Sequence, residues 1–160
     1  MLDRRIIGKN FPAALNEVEK GAIRRFAEAL GDTNPLHRDE AAARAAGYRD
    51  LLAPATFAST LSGNLDVREA LGIGQRSILI GEQSLEYFQP ICAGDRLMVT
   101  SRVVDIFEKL GSGGTMDFAV IEDEGKDESG EMVFRSRRTI IVRPPTRTET
   151  AATPNPQPTP

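Results

Sequence analysis

Apolar positions follow two different periods along the chain. From Val18 to Leu30 they recur every three or four residues, with Ile23, Phe26, Ala27 and Leu30 set among Arg24, Arg25 and Glu28. That spacing predicts an amphipathic helix on a core, and Gly31 is placed to end it as a left-handed cap. Asp39 to Gly47 begins with acids, continues through alanines and stops at glycine. This composition predicts a second, short helix with favourable charge at its N-terminus. Pro54 suits the first position of a third helix, carried on by Ala55, Thr56, Phe57, Ala58, Leu61 and Leu65. Its small residues suit a buried helix closely approached by other backbone, and Gly63-Asn64 weaken or end it. Residues 66–74 read as a return loop with one more helical turn. Residues 2–11, with Ile6-Ile7-Gly8, read as a short edge strand or lead-in.

After Ser77 the period shortens to two. Ile78, Ile80, Leu85 and Tyr87 alternate in part, and Leu97, Val99 and Val103 share one side of a segment from Arg96 to Phe107. Met116 to Ile121 and Met132 to Val142 read as further strands, the last with Val133, Ile140 and Val142 inward. Gly94-Asp95 and Gly111-Ser112-Gly113-Gly114 supply turns. Asp123 to Gly130, acidic and glycine-containing, reads as a solvated loop. Helices first and hairpin-connected strands afterwards predict an α+β domain with an antiparallel sheet. The helix over 54–65 is the candidate for that sheet to wrap. From Pro144 onwards the chain is Pro, Thr and charged residues. It cannot bury enough apolar surface to fold. A single domain over 1–143 followed by a disordered tail over 144–160 is the expected organisation.

Composition narrows the function classes. At 160 residues the chain is long enough for one domain with a sizeable core. A net charge of −3 gives no basic surface for nucleic acid. One cysteine, Cys92, excludes an internal disulfide, and with one histidine a zinc site would need mainly carboxylates. No apolar run reaches signal-peptide or membrane-span length, so the cytosol is the expected compartment.

The candidate chemistry lies in Gly31-Asp32-Thr33-Asn34-Pro35-Leu36-His37, which holds the only histidine of the chain. A side chain titrating near neutrality is a natural acid/base tool. Pro35 forbids an ordinary helix here and biases Asn34 towards extended geometry. Asp32 and His37 therefore sit on a turn whose curvature can bring both to one spot. Two readings fit this spacing: a surface turn with Asp32 as a helix cap, or a catalytic pair. If the pair acts on one water, the carboxylate and a ring nitrogen should lie roughly 4 to 6 Å apart.

The string from Phe26 to His37, Ala-Gly-Tyr at 46–48, Ala-Pro-Ala-Thr-Phe at 53–57, Tyr87-Phe88-Gln89-Pro90 and Gly94-Asp95 resemble the MaoC-like (R)-specific enoyl-CoA hydratases. The resemblance covers roughly 5–143. It implies a hot-dog fold, a curved antiparallel sheet around a central helix, with sheets paired edge to edge in homodimers, heterodimers or fused double domains. It implies reversible hydration of a trans-2-enoyl thioester to a 3-hydroxyacyl thioester, with no metal or redox cofactor and with coenzyme A or acyl carrier protein as carrier. Asp32 and His37 would be catalytic. The N–H groups of Ala55 and Thr56 at the start of the central helix, facing the pair from a second subunit, would form an oxyanion hole. The family often has glycine where Ala55 stands.

Asn34, Ser59 and Ser62 are the candidate substrate contacts, with Thr60 beside them; such hydroxyls also commonly bond their own backbone. Arg38, Arg44 and Arg49 are either solvated charge or contacts for coenzyme A phosphates. The Arg-Asp-Glu and Ala-Ala-Arg-Ala-Ala-Gly-Tyr runs look most like the N-terminal type of MaoC domain, which often has tyrosine at the position of His37 and serves as the non-catalytic half of a pair. His37 favours activity; a non-catalytic acyl-binding subunit of a heterodimer is the alternative. A hot-dog thioesterase shares the fold but not this motif.

Overall fold

A computed structural model describes residues 2–111 and 114–143. The expected tail over 144–160 and the centre of the Gly111–Gly114 connection lie outside them. Five strands form one antiparallel sheet: β1 (Ala14–Glu17), β2 (Ile78–Tyr87), β3 (Arg96–Gly111), β4 (Gly114–Lys126) and β5 (Met132–Val142), in the order β1-β3-β4-β5-β2. The helices precede or interrupt it: α1 (Lys20–Ala29), α2 (Glu40–Ala45) and α3 (Val67–Ala70).

The first two helices form for the reasons read from sequence. In α1, Ile23 and Ala27 are buried, and Gly31 has φ +67° just beyond its end. Leu30, expected on the core side, is instead 55% exposed at the C-cap of the helix. Asp39 caps α2 by accepting from the N–H groups of Ala41 and Ala42. The lead-in is a 3-10 turn at Arg4–Ile6, followed by single bridges from Ile7 and Asn10 to β3. β1 was not expected from the sequence. Its four residues gain strand geometry from pairing with β3, Leu15 opposite Met98.

The largest difference concerns residues 54–65. One 3-10 turn, Phe57–Thr60, stands where a long helix was expected, and Leu61 beyond it is extended. Its Phe57 packs edge-on against Phe26 of α1, ring centroids 5.4 Å apart. Phe57, Ala58, Ile23, Leu97, Val99 and Phe134 belong to one apolar cluster on the inner face of the sheet. A second cluster gathers Leu71, Ile73, Val103, Ile121, Ile140 and Val142.

Charge occupies the inner face of the sheet as well. Asp123 is fully buried and belongs to β4, not to a solvated loop. It accepts hydrogen bonds from Ser101 of β3, Ser136 of β5 at 3.2 Å, and Arg138. Ser101 Oγ also accepts the Gly63 N–H at 3.0 Å. A Cβ on Gly63 would come within 2.7 Å of the Ser101 nitrogen, so only glycine allows that approach. On the outer face Glu122 is also buried, beneath Arg102 and Arg137, the latter 2.7 Å away.

Two stability outcomes follow. Asp123→Ala should cost about 3–5 kcal/mol in chemical denaturation, because it leaves the Arg138 charge uncompensated. Burial opposes ionisation of Glu122, but the hydrogen bonds and charges of Arg102 and Arg137 outweigh it and hold its pKa below the ordinary 4.5. A depressed folded-state pKa gives stability that is present above 4.5 and lost as pH falls through the lower folded value. Denaturation of the Glu122→Gln variant between neutral pH and acid should therefore show a shallower decline than wild type.

Candidate active site

The turn after α1 builds the site from backbone outwards. The Asp32 N–H donates to the Ala27 carbonyl at 2.9 Å, which docks the acid on the end of α1. Asp32 Oδ1 accepts the Asn34 N–H at 2.9 Å, and Asn34 Oδ1 accepts the Leu36 N–H at 3.1 Å. These two bonds hold Pro35–His37 in a 3-10 turn, with Pro35 in its first turn. The histidine side chain is thereby carried inward: His37 is 5% exposed, while the Asp32 side chain is 35% exposed.

His37 is held at both ring nitrogens. Nδ1 lies 2.7 Å from the Leu52 carbonyl. A carbonyl only accepts, so Nδ1 carries the proton and Nε2 of a neutral ring is an acceptor. Nε2 lies 3.4 Å from Asp32 Oδ2. Two acceptors thus face each other unless a proton sits between them or a water donates to both. The separation is shorter than the roughly 4 to 6 Å of a water-bridged pair. A water donating both its O–H bonds at about 2.8 Å needs its acceptors about 4.4 Å apart, so its entry would move the half-exposed Asp32 outward by about 1 Å.

The segment after Leu52 forms the other wall. The Leu52 N–H donates to the Leu36 carbonyl and the Ala53 N–H to the Ile91 carbonyl, which fixes 51–53 between the His37 turn and the residues before β3. A mainly apolar cavity of about 330 Å³ opens there, lined by Leu52, Pro54, Ala55, Tyr87, Phe88 and Ile91 among others. The 54–56 segment is a turn rather than a helix start, and the His37–Leu52 bond ties the stretch just before it to the His37 turn of the same chain. Among the described residues neither the Ala55 nor the Thr56 N–H donates to a protein acceptor.

The remaining candidates divide. Asn34 shapes the Asp32–His37 turn. Ser59 is exposed and its hydroxyl donates to the Thr56 carbonyl, while Thr60 donates to Phe57, the local backbone bonding common for such residues. Ser62 is exposed on the extended segment tied down by Asn16. Arg44 pairs with Glu40 and Asp50, and Arg49 with Asp95; Arg38 is exposed. Sequence reading missed Tyr87 as a site residue. Its hydroxyl donates to the Ala55 carbonyl at 2.6 Å across 32 residues, and burial raises its pKa. The alternation that placed it on a strand carried no signal of that contact.

Fold and site together define a hot-dog protein of the MaoC-like hydratase and dehydratase class. A family model described as "FAS1-like, dehydratase domain region" matches residues 5–136, and the chain belongs to that family. A UPF0336 protein of Saccharopolyspora erythraea is 38% identical over 89% of this chain and 92% of its own length. Among solved structures, the HadBC (3R-hydroxyacyl-ACP dehydratase) complex of Mycobacterium tuberculosis matches with a TM-score of 0.74 and 27% identity, over 85% of this chain and 96% of that one. A MaoC-like dehydratase of Rhodospirillum rubrum matches with 0.67 and 25%, over 91% and 99%. Among the described residues no helix is long and apolar enough to cross a membrane.

Asn34→Ala removes the side-chain cap of the His37 turn. It should cost about 1 kcal/mol in thermal or chemical unfolding and broaden the ring resonances of His37 in the NMR spectrum.

Proposed function

We propose that the chain is a hydratase/dehydratase that reversibly adds water to a trans-2-enoyl thioester to give a 3-hydroxyacyl thioester. The observation that carries this reading is the His37 ring, committed through Nδ1 to the Leu52 carbonyl and facing Asp32 through Nε2. Asp32 Oδ2 and His37 Nε2 make an acceptor pair suited to the two hydrogens of one water. As the water oxygen bonds to the β-carbon, the pair takes one proton from it and returns one to the α-carbon, so its protonation is restored after each turnover.

Charge developing on the thioester oxygen is met by the N–H groups of Ala55 and Thr56. The apolar cavity beside them takes the acyl chain. Asn34 frames the pair, and Ser59 and Ser62 are assigned to substrate contact; because Ser59 already donates to Thr56, it offers the substrate only an acceptor. The substrate arrives as a coenzyme A or acyl carrier protein thioester, in the cytoplasm, and the chemistry asks for no cofactor of its own.

A second reading is the non-catalytic acyl-binding subunit of a heterodimer. It is favoured by the uncovered flank of the edge strand β2, where Ile80 is 57% exposed and Phe88, just beyond its end, 49%, which a second chain would cover. A homodimer would use the same edge. Asp32→Asn and His37→Ala should each lower hydration of crotonyl-CoA or a longer enoyl-CoA by about 10²- to 10⁴-fold with the fold retained. Unchanged turnover in both variants removes the catalytic assignment. An isolated wild-type chain that is inactive on a panel of enoyl thioesters but binds a MaoC-like partner establishes the second reading instead.

A further inference from the structure

Residues 54–61 form a chain of 3-10 hydrogen bonds with one link missing. Phe57 N–H donates to Pro54 at 2.9 Å, Ser59 N–H to Thr56 at 3.1 Å, and Leu61 N–H to Ala58 at 3.1 Å. The corresponding bond from Ala58 N–H to the Ala55 carbonyl is not made. The Tyr87 hydroxyl takes up the carbonyl left over by that gap: it donates to the Ala55 carbonyl at 2.6 Å. A side chain inserted into a helical ladder is a recognised cause of helix interruption. Tyr87 is well fixed for the task, since it ends β2 opposite the fully buried Phe134 of β5.

The Ala55 carbonyl and the Thr56 N–H belong to one planar trans peptide group, and they point in opposite directions. Whatever holds that carbonyl also aims that N–H. We infer that Tyr87 is a positioning residue: by drawing the Ala55 carbonyl towards β2, it turns the Thr56 N–H away from the helical ladder and presents it to the substrate oxygen. The inference rests on the hydratase reading above and adds to it a residue 31 positions further along the chain than Thr56. Without the hydroxyl, nothing holds the Ala55 carbonyl away from the Ala58 N–H, and closure of that bond would rotate the peptide plane and misdirect the Thr56 N–H.

The test compares wild type, Tyr87→Phe and Asp32→Asn in full-length protein. Tyr87→Phe should lower kcat for crotonyl-CoA by about 10- to 100-fold, less than the loss of a whole oxyanion donor, with KM changed less than about threefold. A purely structural role would not give that split. The sharper readout is the thioester carbonyl stretch of bound butyryl-CoA, a saturated probe that cannot react. It should move to lower frequency in wild type and in Asp32→Asn, and stay near its solution value in Tyr87→Phe. Equal kcat and equal carbonyl shift in wild type and Tyr87→Phe overturn the inference while leaving the hydratase reading intact. Wild type with neither hydration nor a carbonyl shift removes that reading and the inference with it.

Should Tyr87→Phe fail to fold, wild type labelled with 3-fluorotyrosine keeps the question open to measurement, because the chain has only Tyr48 and Tyr87. The Tyr87 fluorine resonance, assigned with Tyr48→Phe, should shift when butyryl-CoA binds. A resonance unmoved by saturating probe overturns the proposal.

Discussion

A carboxylate in the core constrains much of this structure. Asp123 lies on the inner face of the sheet with no access to solvent, where an uncompensated charge would be prohibitive. Ser101, Ser136 and Arg138 surround it from the two neighbouring strands. Ser101 in turn reaches the backbone of Gly63, so the polar cluster dictates what crosses above it. A regular helix there would keep its N–H groups for its own ladder. An extended segment offers one to Ser101, and the chain after Thr60 takes that form. β2, at the edge of the sheet, stays open on its flank, with Ile80 and Tyr87 partly in solvent. From the end of that strand Tyr87 reaches the backbone of the turn at Ala55.

The site needs little of this apparatus for its first two residues. Asp32 and His37 are brought together by local means: the end of α1, a left-handed glycine, and two side-chain to backbone bonds around Pro35. Long-range structure enters only at Leu52, whose carbonyl fixes the proton on Nδ1 and so decides what Nε2 can do. Orientation of a histidine through its other nitrogen is a general device of acid/base sites.

This division explains what the sequence made legible. Asp32 and His37 stand out because their positioning is encoded within six residues, and α1 and α2 because their periodicity and caps are local. β3 and β5 show alternation wherever one face is apolar. Elsewhere the signal depends on partners distant in sequence. β1 is four residues long and has no strand character without β3. Asp123 looks like part of a charged loop until Ser101, Ser136 and Arg138 are placed around it. Small and apolar residues over 54–65 favour a helix locally, and two contacts from the sheet, at Ala55 and Gly63, override that preference. Tyr87 was visible only as a strand residue, since nothing near it in the chain announces a hydroxyl inserted into a turn.

That His37 is the single histidine gives the protein a built-in reporter. Every imidazole signal from this chain, in proton, nitrogen or tautomer-sensitive carbon spectra, comes from the candidate site itself. The free protein, a ligand-bound one and a chain joined to a partner can each be compared through one ring, without isotope editing by residue or a library of variants to assign the peak.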